Sequence, residues 1–271
     1  MSKNICKALT IAGSDSGGCA GIQADLKTFA ALGVHGSSVI TAVTAQNTRG
    51  VLAIQRIRPA LVEAQMEAVF EDIGAHAVKT GMIAGAALVK TIASSLFRYK
   101  VRKLVVDPVM VASSGARLMP PGTQGPLCRV LMPLATIITP NRQEAEILAG
   151  MAIRCMDDMK EAARRMIDFG PKYVYLKGGH LSGPATDLLF DGRIFCELHA
   201  ERVRTRNLHG SGCTLASALC AGLAKGMSVE SAAEQAKMYV TEALSHSLSI
   251  GQGPGPLGHF FSLWNRPVRR Q

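Results

Sequence analysis

Short apolar runs alternate with helix-length amphipathic segments along almost the whole chain. Residues 8–12 form an apolar run of strand length that ends in a glycine-rich turn. Residues 22–32 then place Ile22, Leu26, Phe29, Ala30 and Leu32 on one helical face at spacings of three and four. Strand-length runs recur at 38–44, 54–57, 76–79, 103–106, 136–138 and 173–177. Pro59 is suited to open a helix through about Phe70, because its fixed φ fits the first turn. Asp157 is placed to cap a helix that stops at Phe169, Gly170 and Pro171. The Asp191-Gly192 pair between 188–190 and 194–198 is a hairpin signal. Two helices, 211–225 and 229–248, close the pattern, and the glycine- and proline-rich 251–256 reads as the start of a flexible tail.

Repeated strand–helix alternation predicts one α/β domain over residues 1–271, with a mostly parallel sheet and helices on both faces. In such sheets ligands bind beyond the carboxyl ends of the strands. Chemistry is therefore expected in the residues that follow strands.

Composition narrows the class. With 48% hydrophobic and 18% charged residues there is material for one buried core. No apolar run is long enough to cross a bilayer, and the first residues pass directly into a strand with no signal-peptide core. A cytoplasmic protein without membrane contact is expected. The seven cysteines are odd in number, scattered and without zinc-ligand spacing, which suits a reducing compartment. A net charge of +10 admits nucleic acid, but the basic residues are dispersed apart from Arg266, Arg269 and Arg270, and aromatics are too few for a base-stacking surface. A field that draws anionic small molecules suits the charge better. A solvated basic surface suits it as well.

Two common nucleotide motifs are absent. Val78 stands where a P-loop needs glycine before lysine, and Ser16 takes the first glycine position of the best dinucleotide register. Any phosphate site must be built otherwise. Residues 13–21 hold four glycines, Gly13, Gly17, Gly18 and Gly21, ahead of a helix. Glycines let backbone amides approach a ligand, and a helix start favours an anion. An ordinary βα turn needs fewer of them. The run His209, Gly210, Ser211, Gly212, Cys213, Thr214 repeats the device and would receive charge developing on a transferred phosphoryl group. Cys213 at a helix start is expected to have a lowered pKa.

Asn141 and Glu144 open a helix and lie on one face, where they can order water around Mg²⁺ or simply cap the helix. Asp107 ends a strand as a metal or water ligand, or as a turn-forming Asp-Pro. Lys177 ends another strand, where it could neutralise phosphate or be solvated. Gln46 follows a strand, and its carboxamide could match the amino donor and ring-nitrogen acceptor of an aminopyrimidine.

Residues 9–29, 39–50, 107–115, 138–145, 176–181 and 209–214 together resemble the hydroxymethylpyrimidine/phosphomethylpyrimidine kinases of the ribokinase-like superfamily. The resemblance implies a ribokinase-like fold. It also implies two successive ATP-dependent phosphorylations, of 4-amino-5-hydroxymethyl-2-methylpyrimidine and then of its monophosphate. It implies that Gln46 contacts the pyrimidine and that Gly13, Asp25, Met82 and Val109 line the same pocket. Asp107, Asn141 and Glu144 fall in the Mg²⁺–phosphate region, Lys177 and Thr205 on the nucleotide side, and Gly210, Ser211, Gly212 and Cys213 in an anion hole. A homodimer is what the family suggests. Leu208 and Ser113 depart from the family's usual residues, and Ser113 puts any phosphate contact from its loop in doubt. On this reading a Cys213 thiolate accepts the hydroxyl proton in the first step only. A pyridoxal-type kinase and a catalytically silent binding domain are the rival readings.

Overall fold

The computed structural model describes residues 5–111, 118–179 and 184–264. At the centre of the sheet β1 (Lys7–Asp15) runs parallel to β2 (His35–Asn47) on one side and β4 (Ala77–Thr80) on the other. β5 (Leu104–Val106), β6 (Ile137–Ile138) and β7 (Tyr173–Leu176) continue the parallel set. β3 (Gly50–Arg56) pairs antiparallel with β2 at one edge, and the hairpin β8 (Asp187–Phe190) and β9 (Phe195–Leu198) closes the other. The order is β3-β2-β1-β4-β5-β6-β7-β8-β9. The chain leaves β1 to one side for β2 and to the other for β4, so the topology switches beside β1, where α/β sheets open a ligand crevice.

Alternating side-chain direction along strands buried on both faces explains the layers. Leu9 and Ile11 of β1 and Val174 and Leu176 of β7 pack with α2 (Pro59–Ala68), α3 (Ala86–Arg98), α5 (Arg142–Ala149) and α6 (Met156–Ile167). Ala8 and Tyr175 turn to the other face, against α1 (Gly21–Ala31), α7 (Ser211–Ala224) and α8 (Val229–Ser245). Short helices α4 (Gln124–Pro126) and α9 (Phe261–Trp264), with π-helical turns at Val69–Ile73 and Leu127–Leu131 and a 3-10 turn at Met132–Leu134, complete the described elements. α7 is buried at every position from Thr214 to Ala224, as expected of a helix enclosed on all sides. Among the described residues no helix is long and apolar enough to cross a membrane.

The mostly parallel sheet covered on both faces is as the alternation predicts. Several boundaries differ: Asp157 lies inside α6, whose N-cap is Cys155, and β2 and β3 are longer than their apolar runs. Two further differences concern the glycine-rich segments. β1 runs on through the Gly13-Ser14-Asp15 segment assigned to a loop, its pairing with β2 shifting between Ala12 and Ser14. The segment read as a flexible tail is packed: Gly253 N–H donates to Thr48 Oγ1, Gly255 N–H to Asn207 Oδ1 and Leu248 N–H to the Pro256 carbonyl. Leu257 is buried. Its glycines serve close approach, since a Cβ on Gly253 would lie 2.0 Å from the Thr48 carbonyl oxygen.

Candidate active site

Most of the predicted site residues collect at the carboxyl end of the sheet, around the first turn of α7. Gly210 is the N-cap of α7 with φ +87°, and a Cβ there would meet the Cys19 carbonyl oxygen at 1.9 Å. Gly21, with φ +57°, is equally committed, since its Cβ would lie 2.3 Å from the Gly13 carbonyl oxygen. Only glycine permits both conformation and approach at these positions. Between them the loop is tied by Asp15, whose Oδ1 accepts from Gly17 N–H and whose Oδ2 accepts from Cys19 and Ala20 N–H. The Ser211 amide donates to the Leu208 carbonyl at 3.1 Å. The Gly212 and Cys213 amides remain, in a helical turn that offers them no intrahelical acceptor.

Beside this turn lies a buried charge group. Lys177 Nζ is 3.2 Å from Asp107 Oδ1, which also accepts from Thr139 Oγ1 at 3.1 Å. A Cβ on Gly212 would stand 3.2 Å from Lys177 Nζ and 4.0 Å from Asp107 Oδ2. Glycine thus lets the ammonium reach the helix end. Asn141 and Glu144 form a reciprocal capping box on α5: Asn141 Oδ1 accepts from Glu144 N–H, and Glu144 Oε2 accepts from Asn141 N–H, both at 2.9 Å. Glu144 Oε1 also accepts from Met110 N–H at 3.3 Å. Burial pushes the Glu144 carboxyl up to about 7; Lys177 opposes the shift and Asp107 adds to it. Burial would lower the Lys177 ammonium, but Asp107 and Glu144 outweigh it and the net shift is upward. The Asp107 and Glu144 carboxyls beside one ammonium present hard oxygen donors, a set that fits Mg²⁺. Each Glu144 oxygen accepts from one backbone amide and keeps a further lone pair that could serve such a site.

Cys213 corrects the expectation of a lowered pKa. Burial pushes the thiol up to about 11; the Lys79 cation lowers it, the Asp25 and Asp107 carboxylates raise it, and a hydrogen bond from the Gly21 amide favours the anion too weakly to reverse the balance. Desolvation of the anion outweighs the helix start.

On the far side of the Gly210 turn, Gln46 is the penultimate residue of β2. Its Nε2 is 3.1 Å from His209 Nε2, its backbone N–H and carbonyl engage Ser16 Oγ, and Thr44 Oγ1 lies 3.3 Å from its Oε1. The sequence motif gives His209 no task of its own; its place immediately before the N-cap of α7 is the signal that it stands at the site. Asp15, Cys19 and His209 each bring a heteroatom within 4.8 Å of one another. With Asp15 serving three amides, and burial and Asp15 together raising the Cys19 thiol, the trio forms a wall of the site. Gly13 abuts Met82, whose Cε a Cβ would meet at 2.6 Å, and Val109 packs on the Ala42, Met82 and Ala84 cluster. These three predicted pocket residues are together.

Asp25 is not among them. It is fully buried, paired with Lys79, and accepts from Thr10 Oγ1 and Ser217 Oγ at 2.6 Å. In this structure the carboxylate is sealed from solvent, with both oxygens engaged by Lys79, Thr10 and Ser217. Thr205 contacts Ser247 Oγ and Asn207 N–H, and among the described residues no hydrogen bond joins it to Lys177 or Asn141. Leu208, a departure from the family, is half-exposed and acts through its carbonyl. Ser113, His180, Arg266, Arg269 and Arg270 lie outside the described residues.

The family model described as phosphomethylpyrimidine kinase matches residues 15–258. A hydroxymethylpyrimidine/phosphomethylpyrimidine kinase of Rhizobium meliloti is 51% identical over 261 residues, covering 95% of this chain and 98% of that one. The crystal structure of phosphomethylpyrimidine kinase from Clostridium difficile superposes with a TM-score of 0.79 at 47% identity, over 88% of this chain and 99% of that one. Pyridoxal kinase from Staphylococcus aureus, in complex with AMP-PCP and pyridoxal, gives 0.88 at 34% identity, over 95% and 94%. The sheet order, the glycine-locked start of α7 and these full-length likenesses agree: the chain has the ribokinase-like fold and belongs to the phosphomethylpyrimidine kinase family.

Proposed function

We propose that this protein is an ATP-dependent kinase of thiamine biosynthesis that phosphorylates 4-amino-5-hydroxymethyl-2-methylpyrimidine and then its monophosphate. The observation that carries the reading is the start of α7, set between a phosphate-matching charge group and a ring-matching amide. Lys177, Asp107 and Glu144 lie on one side of it, and Gln46 lies on the other. The names of the relatives that match over almost the whole chain support the substrate.

The residues divide the work by chemistry. The Gly212 and Cys213 amides hold the transferring phosphoryl group, and Lys177 screens the nucleotide. Asp107, with Glu144 and Asn141 behind it, holds Mg²⁺, which when bound neutralises phosphate charge. Gln46 grips the acceptor ring, with Gly13, Met82 and Val109 as its apolar surround. Cys213 takes the hydroxyl proton in the first step. The second step has an anionic phosphate as nucleophile and needs no base. A cytoplasmic homodimer is the setting we assign to the enzyme.

Pyridoxal is the second reading, favoured by the fold likeness to a pyridoxal kinase at a TM-score of 0.88. An ATP-consumption assay with hydroxymethylpyrimidine, its monophosphate, pyridoxal and a sugar separates them. Turnover with both pyrimidines is expected. Turnover with pyridoxal alone would replace the reading, and none with any acceptor would end it.

A further inference from the structure

The Gln46 carboxamide sits between two partners of unequal strength. Thr44 has one hydroxyl proton, and the 2.9 Å bond to the Ser14 carbonyl holds it more closely than the 3.3 Å contact with Gln46 Oε1. The other end of the amide lies 3.1 Å from His209 Nε2. Two nitrogens at that distance bond only if one brings a proton and the other a lone pair, and a carboxamide nitrogen has only protons to give. With its proton on Nδ1 the neutral imidazole can accept from Gln46 at this distance, and that is the tautomer the proposal takes. The ring is 7% exposed, and burial, opposed by Asp15, lowers its basicity in keeping with that state. Its backbone is fixed by a 3.2 Å bond to the Gly255 carbonyl and by the locked glycine that follows.

A carboxamide held at neither end can turn over, exchanging donor and acceptor. An aminopyrimidine presents an amino donor beside a ring-nitrogen acceptor, so one orientation matches both groups and the other opposes both. We propose that His209 is a positioning residue: by accepting from Gln46 it fixes the amide face that the aminopyrimidine reads. This rests on the reading that Gln46 contacts the acceptor ring.

The test is steady-state kinetics, varying hydroxymethylpyrimidine and ATP separately, for wild type, His209→Ala, His209→Gln, Gln46→Ala and the double variant Gln46→Ala/His209→Ala. Loss of one hydrogen bond predicts about a five- to tenfold rise in KM for the alcohol in His209→Ala. The kcat and the KM for ATP should stay within about twofold of wild type. His209→Gln, whose carbonyl can accept, should recover most of the loss. In the Gln46→Ala background, His209→Ala should add nothing, because it acts through Gln46. Should His209→Ala not fold, His209→Phe, which fills the space without a lone pair, is compared with His209→Gln in the same way. The proposal is overturned if Gln46→Ala raises the KM and His209→Ala does not. Losses that multiply in the double variant, or a parallel fall in kcat and ATP affinity, also overturn it. An unchanged KM in Gln46→Ala removes the underlying reading, and the inference with it.

Discussion

At the first turn of α7 the Cys213 sulfur loses water before the helix can repay an anion, and its proton stays on. With the thiol pushed up to about 11 by burial, the thiolate fraction grows tenfold with each pH unit below that value. If Cys213 accepts the hydroxyl proton, kcat for the first phosphorylation rises about tenfold per unit between pH 7 and 9. The second step stays flat over the same range. Cys213→Ala should abolish the slope and slow the first step far more than the second. Stopped assays on both substrates across that range check it, and an unchanged slope in the variant would show that another group titrates. Glu144 obeys the same physics with a different readout. Its folded carboxyl, at about 7, keeps a proton that the unfolded chain releases near 4.3, so stability falls as pH rises between those values. Glu144→Gln retains an oxygen acceptor for the Asn141 amide and cannot ionise. Between pH 5 and 8, without Mg²⁺ or nucleotide, the variant should gain about 2–3 kcal/mol relative to wild type in urea melts. A constant difference would mean that Glu144 titrates as an exposed carboxyl does.

Strands and helices were readable because their apolar spacing is a local property, as the alternating faces of β1 and β7 show. What joins elements was less so. Both glycine-rich turns stand out in the sequence, but their backbones lock into neighbouring chain, and nothing local marks Cys19 as the neighbour of Gly210. The same holds for 251–256, where composition predicts a flexible tail and close approach to Thr48, and at Gly255 to Leu248, explains the glycines instead. Cys213 misled for a related reason, since a helix start is visible in sequence and the burial around it is not. The interlock has a sharp test. Gly210 and Gly226 share a left-handed conformation, with φ of +87° and +86°, but a Cβ at Gly226 meets nothing within 4 Å. Gly226→Ala should therefore cost only conformational strain, about 1 kcal/mol, with activity kept. Gly210→Ala adds a clash at 1.9 Å and should cost about 2–4 kcal/mol and at least tenfold in kcat/KM. Equal losses in the two variants would show that conformation alone matters at Gly210.

Four residues far apart in the chain hold the layers of the molecule to one another. Thr10 on β1, Asp25 on α1, Lys79 on β4 and Ser217 on α7 meet in one closed network, with Lys79 Nζ 2.9 Å from both Asp25 oxygens. No spacing rule connects them, and a pocket role for Asp25 is implied by the family resemblance alone. Burial alone would lower the Lys79 ammonium; the Asp25 carboxylate overcomes it and the net shift is upward, so the ammonium keeps its charge throughout the physiological range. A sealed ion pair stabilises little over an apolar pair, but an orphaned charge costs heavily. Asp25→Asn, which strands the Lys79 ammonium, should therefore lose about 3–5 kcal/mol in urea unfolding. The double replacement Asp25→Leu/Lys79→Met should recover most of that loss, because neither charge is then left in the core. Were Asp25 a substrate contact instead, Asp25→Asn would raise the KM for hydroxymethylpyrimidine while leaving stability nearly unchanged, and the double variant would bind the alcohol no better than the single one. The two outcomes differ in which measurement moves, so one preparation of each variant decides between a floor beneath the site and a wall of it.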